Sequence, residues 1–308
     1  MTKHPLWIIL MGILSILLGC TSESNYYKKG GKWHYGGFPV DKANEPVNFK
    51  VIDDYYAKDD KPGFYRGTPV YGGGQASDGP TFTALNTWYA KDKFRVYYCD
   101  TERDSKEYWS IRRNVIKTIA GADAATFRLL GDGYTARDKL HLFEEDKIVQ
   151  VQDLESYELL EHAFARDRMR GYYRKREVAG SDGGSFAALD ADYAIDKSRI
   201  YYVDGFYIGG AINGVRHASF KALGGGYATD GNRGYYKGKA ITSEAAASLQ
   251  YLEAMGYAKT ASQVFHNGGL MQGADAPSFG RAAEFNAKFD ATDKLGYFSA
   301  GQRVNVSP

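Results

Sequence analysis

The stretch "DADYAIDKSRIYYVDG", Asp190 to Gly205, gathers three kinds of chemically able groups: carboxylates at Asp190, Asp192 and Asp196, a guanidinium at Arg199, and phenols at Tyr193, Tyr201 and Tyr202. Closely spaced acids suggest a calcium loop, but the central glycine and the downstream bidentate glutamate of that motif are absent. Phenols in a row suggest stacking on sugars or peptides. Neither reading survives comparison within the chain unchanged, because nearly the same string returns as "TWYAKDKFRVYYCD", "AFARDRMRGYYRK" and "GGYATDGNRGYYKG". Offsets that hold while identities vary mark a structural register.

Other chemistry finds little support. The histidines His4, His34, His141, His162, His217 and His266 are scattered, with no pair at helical spacing flanked by glutamate, so no metal centre is expected. No G-x-S-x-G elbow occurs, and the glycine triplets Gly72–Gly74 and Gly224–Gly226 lack the Lys-Ser or Lys-Thr ending of a phosphate loop. A formal charge of +2 gives no electrostatic case for nucleic acid. The chain is therefore read as a non-enzyme without cofactor; the alternative is a cell-wall-active enzyme whose acids converge only on folding.

The elements that must carry these groups are short strands. Tyr (25), Phe (16) and Gly (36) are plentiful beside only 8 Pro in 308 residues, which favours strands and tight turns. An opening aromatic recurs at Tyr56, Tyr89, Tyr134, Phe164, Tyr193, Tyr227, Tyr257 and Phe289, at separations of 29 to 45 residues. An acid follows three residues after five of these (Asp59, Asp92, Asp167, Asp196, Asp230); it is displaced by one at Asp138 and Asp293, and Thr260 replaces it after Tyr257. An aromatic pair follows the acid at Phe64-Tyr65, Tyr97-Tyr98, Tyr172-Tyr173, Tyr201-Tyr202 and Tyr235-Tyr236. This reads as strand, tight turn, returning strand: a β-hairpin. The pairs Asp92/Arg95, Asp167/Arg170, Asp196/Arg199 and Asp230/Arg233 flank the turn, the carboxylate positioned to bond turn amides and the exposed ion pair contributing only about 0.2–1 kcal/mol. Period-two alternation predicts one ring of each Tyr pair inside and one outside without fixing which; Tyr98, Tyr173, Tyr202 and Tyr236 stand as the candidates for ligand contact, against the plainer reading that outer rings cover neighbouring hairpins.

Seven residues before four of the openers lies a phenylalanine (Phe82, Phe127, Phe186, Phe220), in segments such as "SDGPTFTAL" and "SDGGSFAAL". Asp78, Asp123 and Asp182 are placed to cap a helical turn, with Phe and Leu three apart on one face. "RHASFKAL" has Arg216 in place of the acid, and "GADAPSFGRA" keeps Asp275 and Phe279. Two segments, Asp153–Phe164 and Thr242–Gly256, carry longer helical spacing, the second with Ser243 as N-cap and Gly256 past its end. The expected fold is mainly β with short helices, tandem hairpin repeats of about 30 residues whose neighbours bury one another's open faces, in an elongated array, with propeller-like closure as the alternative.

"YAKDKFRVYY", "YAIDKSRIYYVDG" and "YATDGNRGYYKGK", each joined by a "D-x-x-[ST]-F-x-x-L" segment, resemble the DKNYY repeat family of bacterial proteins. The resemblance spans Val51 to Pro308, with a weaker copy at Tyr26–Val40, and Arg commonly stands where the family pattern has Asn. It implies a repeat architecture and an exported setting, and it supplies no catalytic residue.

The N-terminus, "MTKHPLWIILMGILSILLGCTSES", has a basic start and an apolar run from Leu6 to Leu18, the size of a signal-peptide core. Leu17-Leu18-Gly19-Cys20 resembles the lipobox of bacterial lipoproteins, which implies cleavage before Cys20 and lipidation of its thiol. Residues 1–19 are then a signal peptide, 20–50 a linker with a degenerate repeat, and 51–308 the repeats. With Cys20 lipidated, Cys99 has no partner for a disulfide and reads as a small core hydrophobe. The expected setting is the cell envelope, held to the membrane by lipid, and the outer membrane in a Gram-negative cell because Thr21 and Ser22 lack the retention aspartate. The expected partner is an envelope protein or glycan.

Overall fold

The computed structural model describes residues 25–40, 46–103, 112–242, 246–253, 255–286 and 289–304. Residues 1–19, expected to be a signal peptide, lie outside the described residues, as do Cys20 and Ser243. The chain divides into two compact units, Met1–Ile119 and Ala120–Pro308.

Each repeat is a small antiparallel meander. In the Tyr193 repeat the strands Ala187–Ala188, Tyr193–Ile195, Ile200–Asp204 and Tyr207–Ala211 pair in chain order. Eight such four-stranded sheets occur among the described residues, and Tyr26–Pro39 forms a three-stranded one. The hairpin register is constant: the opener pairs with the residue nine later, as in Tyr26↔Tyr35, Tyr56↔Tyr65, Tyr193↔Tyr202 and Tyr257↔His266. In several repeats the edge connection is a two-residue turn with both residues at positive φ, such as Lys237-Gly238 (49° and 72°) and Asn267-Gly268 (48° and 78°), the type I′ geometry that matches strand twist.

That register moves two openers. Thr135 pairs with Glu144, so Thr135, not Tyr134, holds the opening position of its repeat. Tyr134 is instead 57% exposed. Asp293 pairs with Gly296 in the last repeat, which puts Asp290 three residues earlier at the opening position in place of Phe289. The displacement of Asp138 and Asp293 thus disappears once the acid, which the turn requires, is the point of alignment.

The helical segments are shorter than their spacing predicts. Gly79–Thr81 and Gly183–Ser185 are single 3-10 turns, and Asp78 and Asp182 accept from the Thr81 and Ser185 amides as caps. Asp123 caps an irregular turn through the Ala125 amide. Neither longer helix forms among the described residues. Asp153–Phe164 repeats the capped turn, with Asp153 accepting from the Ser156 hydroxyl, followed by the strand Glu158–Leu159. Within Thr242–Gly256 the helical part is the 3-10 turn Ala246–Ser248, followed by the strand Gln250–Tyr251. Tyr157 and Leu249 occupy the place that phenylalanine takes elsewhere. Apolar residues three and four apart arise as readily from a capped turn running into a strand as from an amphipathic helix.

The sheets stack within each compact unit, so both faces of a hairpin are covered. Tyr201 buries against Phe164, Tyr173 and Phe186 of the preceding repeat's side, whereas Tyr202 buries against Phe220 and Tyr235 of the following one. The expectation of an exposed outer ring therefore fails: Tyr98, Tyr173 and Tyr202 are 8%, 5% and 6% exposed, and Tyr236 is half-buried. Alternation still sends the two rings to opposite faces, but each face meets another sheet. Cys99 is fully buried beside Tyr56 and Tyr97. Burial pushes its thiol up to about 12, the Tyr56 hydroxyl opposing that shift, which suits a core residue.

Candidate functional site: a cleft in the Thr135 repeat

Two polar devices recur, and the cleft is where one of them is missing. The first is the turn carboxylate. Asp196 Oδ1 accepts from the amides of Ser198 and Arg199, both at 2.8 Å, and Oδ2 accepts from the Asp182 amide at 2.9 Å and the Tyr201 hydroxyl at 2.6 Å. Asp92, Asp167 and Asp230 repeat the pattern with Tyr97, Tyr172 and Tyr235. One carboxylate thus closes the hairpin turn and pins the capped turn that precedes it. Burial opposes ionisation, but the hydrogen-bond donors together outweigh it and hold Asp196 and Asp230 at about 2.

The expected charge pairs Asp92/Arg95, Asp167/Arg170, Asp196/Arg199 and Asp230/Arg233 are not formed. Arg95 reaches Gln75, Arg170 reaches Glu177, and Arg199 donates to the Gly180 carbonyl. The Arg233 guanidinium lies beside Gly214, where a Cβ would stand 3.6 Å from its Nη1. What the turn uses of each arginine is its main-chain N–H, which in Arg233 donates to Asp230 Oδ1 at 2.7 Å. The physical reason is that each carboxylate is buried and already filled by amides and a phenol, while the arginine side chain leaves the turn for the surface.

The second device is the opener's hydroxyl, which ties one sheet to the next. Tyr193 Oη donates to the Gly226 carbonyl at 2.8 Å and accepts from the Gly238 amide at 3.1 Å. Tyr227 does the same with the Gly256 carbonyl and Gly268 amide, and Tyr26 with the Tyr55 carbonyl and Gly67 amide. The acceptor precedes the next opener, and the donor is the second residue of the next type I′ turn. That residue is glycine for space as well as φ: a Cβ on Gly268 would lie 2.4 Å from the Tyr236 ring, and one on Gly67 would lie 2.9 Å from Tyr35 Cβ.

The Thr135 repeat departs from this at every linked position. Thr135 and Glu144 stand where an aromatic pair stands in the other repeats, apart from the last, which opens on Asp290. The next turn is Arg174-Lys175, both at positive φ (47° and 62°), with lysine in the glycine's place. Because no ring from position 144 fills that space, a Cβ is accommodated, and Lys175 Nζ pairs with Glu144 Oε1 at 2.7 Å. Beside Glu144 and Lys175 opens a cleft of about 650 Å³, lined among others by Asp132, Tyr134, Tyr157 and Ala163. Tyr157 holds the position that is phenylalanine at Phe82, Phe127, Phe186, Phe220 and Phe279. Its side chain is 6% exposed and its hydroxyl has no hydrogen-bond partner among the described residues. Burial, and then the nearby Asp132 and Glu144 carboxylates, push its phenol above the ordinary range.

None of the candidates named for ligand contact lines this cleft, though Tyr202 lines another, of about 520 Å³, with Tyr207, Arg233 and Lys239. Thr135, Glu144, Tyr157 and Lys175 escaped notice because alignment on aromatics skips a repeat that lacks its aromatics. The signal was present: counting three back and six on from Asp138 reaches Thr135 and Glu144, and "YYRK" replaces "YYKG". Among the described residues no group of three or more His, Cys, Asp or Glu is placed to hold a metal ion.

If glycine answers to the preceding ring, Gly268→Ala should destabilise by about 1–3 kcal/mol through overpacking. Lys175→Gly should change stability by less than about 1 kcal/mol, losing only a partly exposed ion pair and a strained φ. Urea midpoints of the two variants check this.

Stacked meanders joined by buried hydroxyls and carboxylates, each repeat bonded chiefly to its neighbours, define a tandem β-repeat protein. The family model described as the DKNYY family matches residues 15–101, 102–239 and 164–302, and the chain belongs to that family. No curated protein and no solved structure matches the chain.

Proposed function

We propose that the chain is a non-enzymatic cell-envelope lipoprotein, anchored through lipid on Cys20, whose repeats act as a binding or scaffold module. The observation that carries the binding role is the cleft of the Thr135 repeat. Thr135, Glu144, Tyr157 and Lys175 all depart together from the residue pattern that the Tyr193 and Tyr227 repeats share, and beside them lies a space of ligand size, about 650 Å³. A loss of packing without compensation would leave a cavity alone; here a lysine fills the glycine place and a tyrosine replaces a core phenylalanine.

The envelope setting rests on the apolar N-terminal run and the lipobox-like Leu17–Cys20. Among the described residues no helix is long and apolar enough to cross a membrane. A photo-crosslinking residue at the exposed Tyr134 position, expressed in the native envelope, should capture a protein or glycan, and the same residue at Phe94, exposed in the other compact unit, should not. Equal capture, or none, at both positions overturns the binding role of the cleft.

The enzymatic alternative has one observation in its favour: Asp132 and Glu144 line the same cleft. Their oxygens are already engaged, Asp132 with the Tyr134 and Thr135 amides and the Thr135 hydroxyl, and Glu144 with Lys175. Release of soluble fragments from cell-wall glycan, lost in Glu144→Gln, would favour the enzyme over the binding module.

A further inference from the structure

We infer that the cleft of the Thr135 repeat is a receptor for a phenolic ring, the side chain of a tyrosine presented by a partner polypeptide. This rests on the binding role proposed above and specifies what binds.

The chain itself supplies the template. In the Tyr193 and Tyr227 repeats the opener's ring lies against the ring of the next capped turn or strand, as in Tyr193–Phe220 at 5.4 Å and Tyr227–Tyr251 at 5.9 Å. Its hydroxyl then bridges a carbonyl and an amide of the following sheet. In the Thr135 repeat the frame is kept and the ring is not. Ala163 precedes the next opener, Phe164, as Gly226 precedes Tyr227, and its carbonyl accepts from the Arg174 amide as the Gly226 carbonyl accepts from Lys237. A carbonyl has two lone pairs, so the acceptor site that Tyr193 uses on Gly226 remains open on Ala163. Lys175 stands at the donor position of Gly238 and Gly268. Both Ala163 and Lys175 line the cleft.

Tyr157 adds an independent observation. At the place where the other repeats bury a phenylalanine or leucine, the following Phe164 repeat turns toward the cleft a buried tyrosine whose hydroxyl has no partner among the described residues. Leaving such a group unpaired carries a desolvation cost, which a hydroxyl-bearing ligand at hydrogen-bond distance would offset. A ring set between Tyr157 and the Ala163–Lys175 frame, with its hydroxyl on that frame, is the arrangement the fold builds for itself elsewhere. The cleft volume exceeds one side chain, which leaves room for the residues flanking a tyrosine in a polypeptide.

Titration of the full chain with p-cresol and with toluene, followed through the Ala163 and Lys175 amide resonances, tests this. The expected result is saturable shifts at both amides with p-cresol and affinity at least about tenfold weaker for toluene, the value of one or two hydrogen bonds. N-acetyl-tyrosinamide should bind at least as tightly as p-cresol, and N-acetyl-phenylalaninamide should follow toluene; p-cresol binding with the amide excluded would point to a free phenol and overturn the polypeptide source. Thr135→Tyr, which returns the ring from within, should abolish the shifts, with Glu144→Tyr as the substitute if that variant does not fold. Absence of saturable shifts, equal binding of toluene, or binding unchanged by refilling overturns the inference. Should p-cresol fail while crosslinking from position 134 persists, the phenolic occupant falls and the binding role stands.

Discussion

Asp196→Ala is expected to destabilise the chain by about 3–5 kcal/mol, whereas Arg199→Ala should cost less than about 1 kcal/mol. The carboxylate is 2% exposed and receives five donors: the Asp182, Ser198 and Arg199 amides and the Ser198 and Tyr201 hydroxyls. Alanine leaves those donors facing a space too confined to hydrate them all, and each buried unsatisfied group costs about 1–3 kcal/mol. Arg199 gives the turn only its main-chain N–H, which alanine also has; its guanidinium bond to the Gly180 carbonyl is exposed. If Asp and Arg acted as a charge pair, the two substitutions would cost alike and a double-mutant cycle would show coupling. Urea unfolding of the two single variants and the double variant decides between these.

The same carboxylates set the acid limit of the fold. Asp196 and Asp230 sit at about 2 in the folded chain, below the ordinary value of 3.8. A depressed folded value means that the unfolded chain binds the proton more readily, so the stabilisation is fully present above pH 4 and is lost as pH falls through about 2. Asp167 and Asp293 shift in the same direction. Thermal midpoints should therefore hold steady from neutrality to about pH 4 and then fall steeply, with Asp196→Ala showing a shallower fall. A midpoint that declines between pH 7 and 5 would place the control in other groups.

Much of this was legible. The period, the turn acid and the caps at Asp78 and Asp182 follow from sequence because each is a local device: a carboxylate bonding amides two or three residues away. The long-range half of Asp196's role, its bond to the amide of Asp182, has no local signature. The cover over the second face of each hairpin does leave a trace, which the expectation of one exposed ring in each tyrosine pair overlooked. "IYYV" and "VYYC" do read as strands buried on both sides, since they lack the polar alternation of a half-exposed strand. The sheets' outer strands are often two residues long, as at Ala187–Ala188, too short to show any period. The cleft was hidden for the opposite reason: it is an exception, visible only once the register of the other repeats is known residue by residue.

That register gives the second large effect. Tyr193→Thr introduces the residue that the Thr135 repeat carries at the same position, yet it should destabilise by about 3–5 kcal/mol. Tyr193 is fully buried against Tyr202 and Phe220, and its hydroxyl joins Gly226 to Gly238. Threonine removes the ring and leaves the Gly238 amide without its acceptor, while glycine at 238 offers no side chain to refill the space. In the Thr135 repeat, Lys175 and Glu144 occupy part of that volume, so the loss there is already compensated. Tyr193→Phe, which keeps the ring and removes only the bridge, should cost about 1–2 kcal/mol. The size of the Thr effect relative to the Phe effect separates packing from hydrogen bonding. Because the hole in Tyr193→Thr is bounded by the same carbonyl and amide, p-cresol should raise the thermal midpoint of that variant and leave Tyr193→Phe unmoved. Equal response of the two variants would mean that the ring position is not what the phenol recognises.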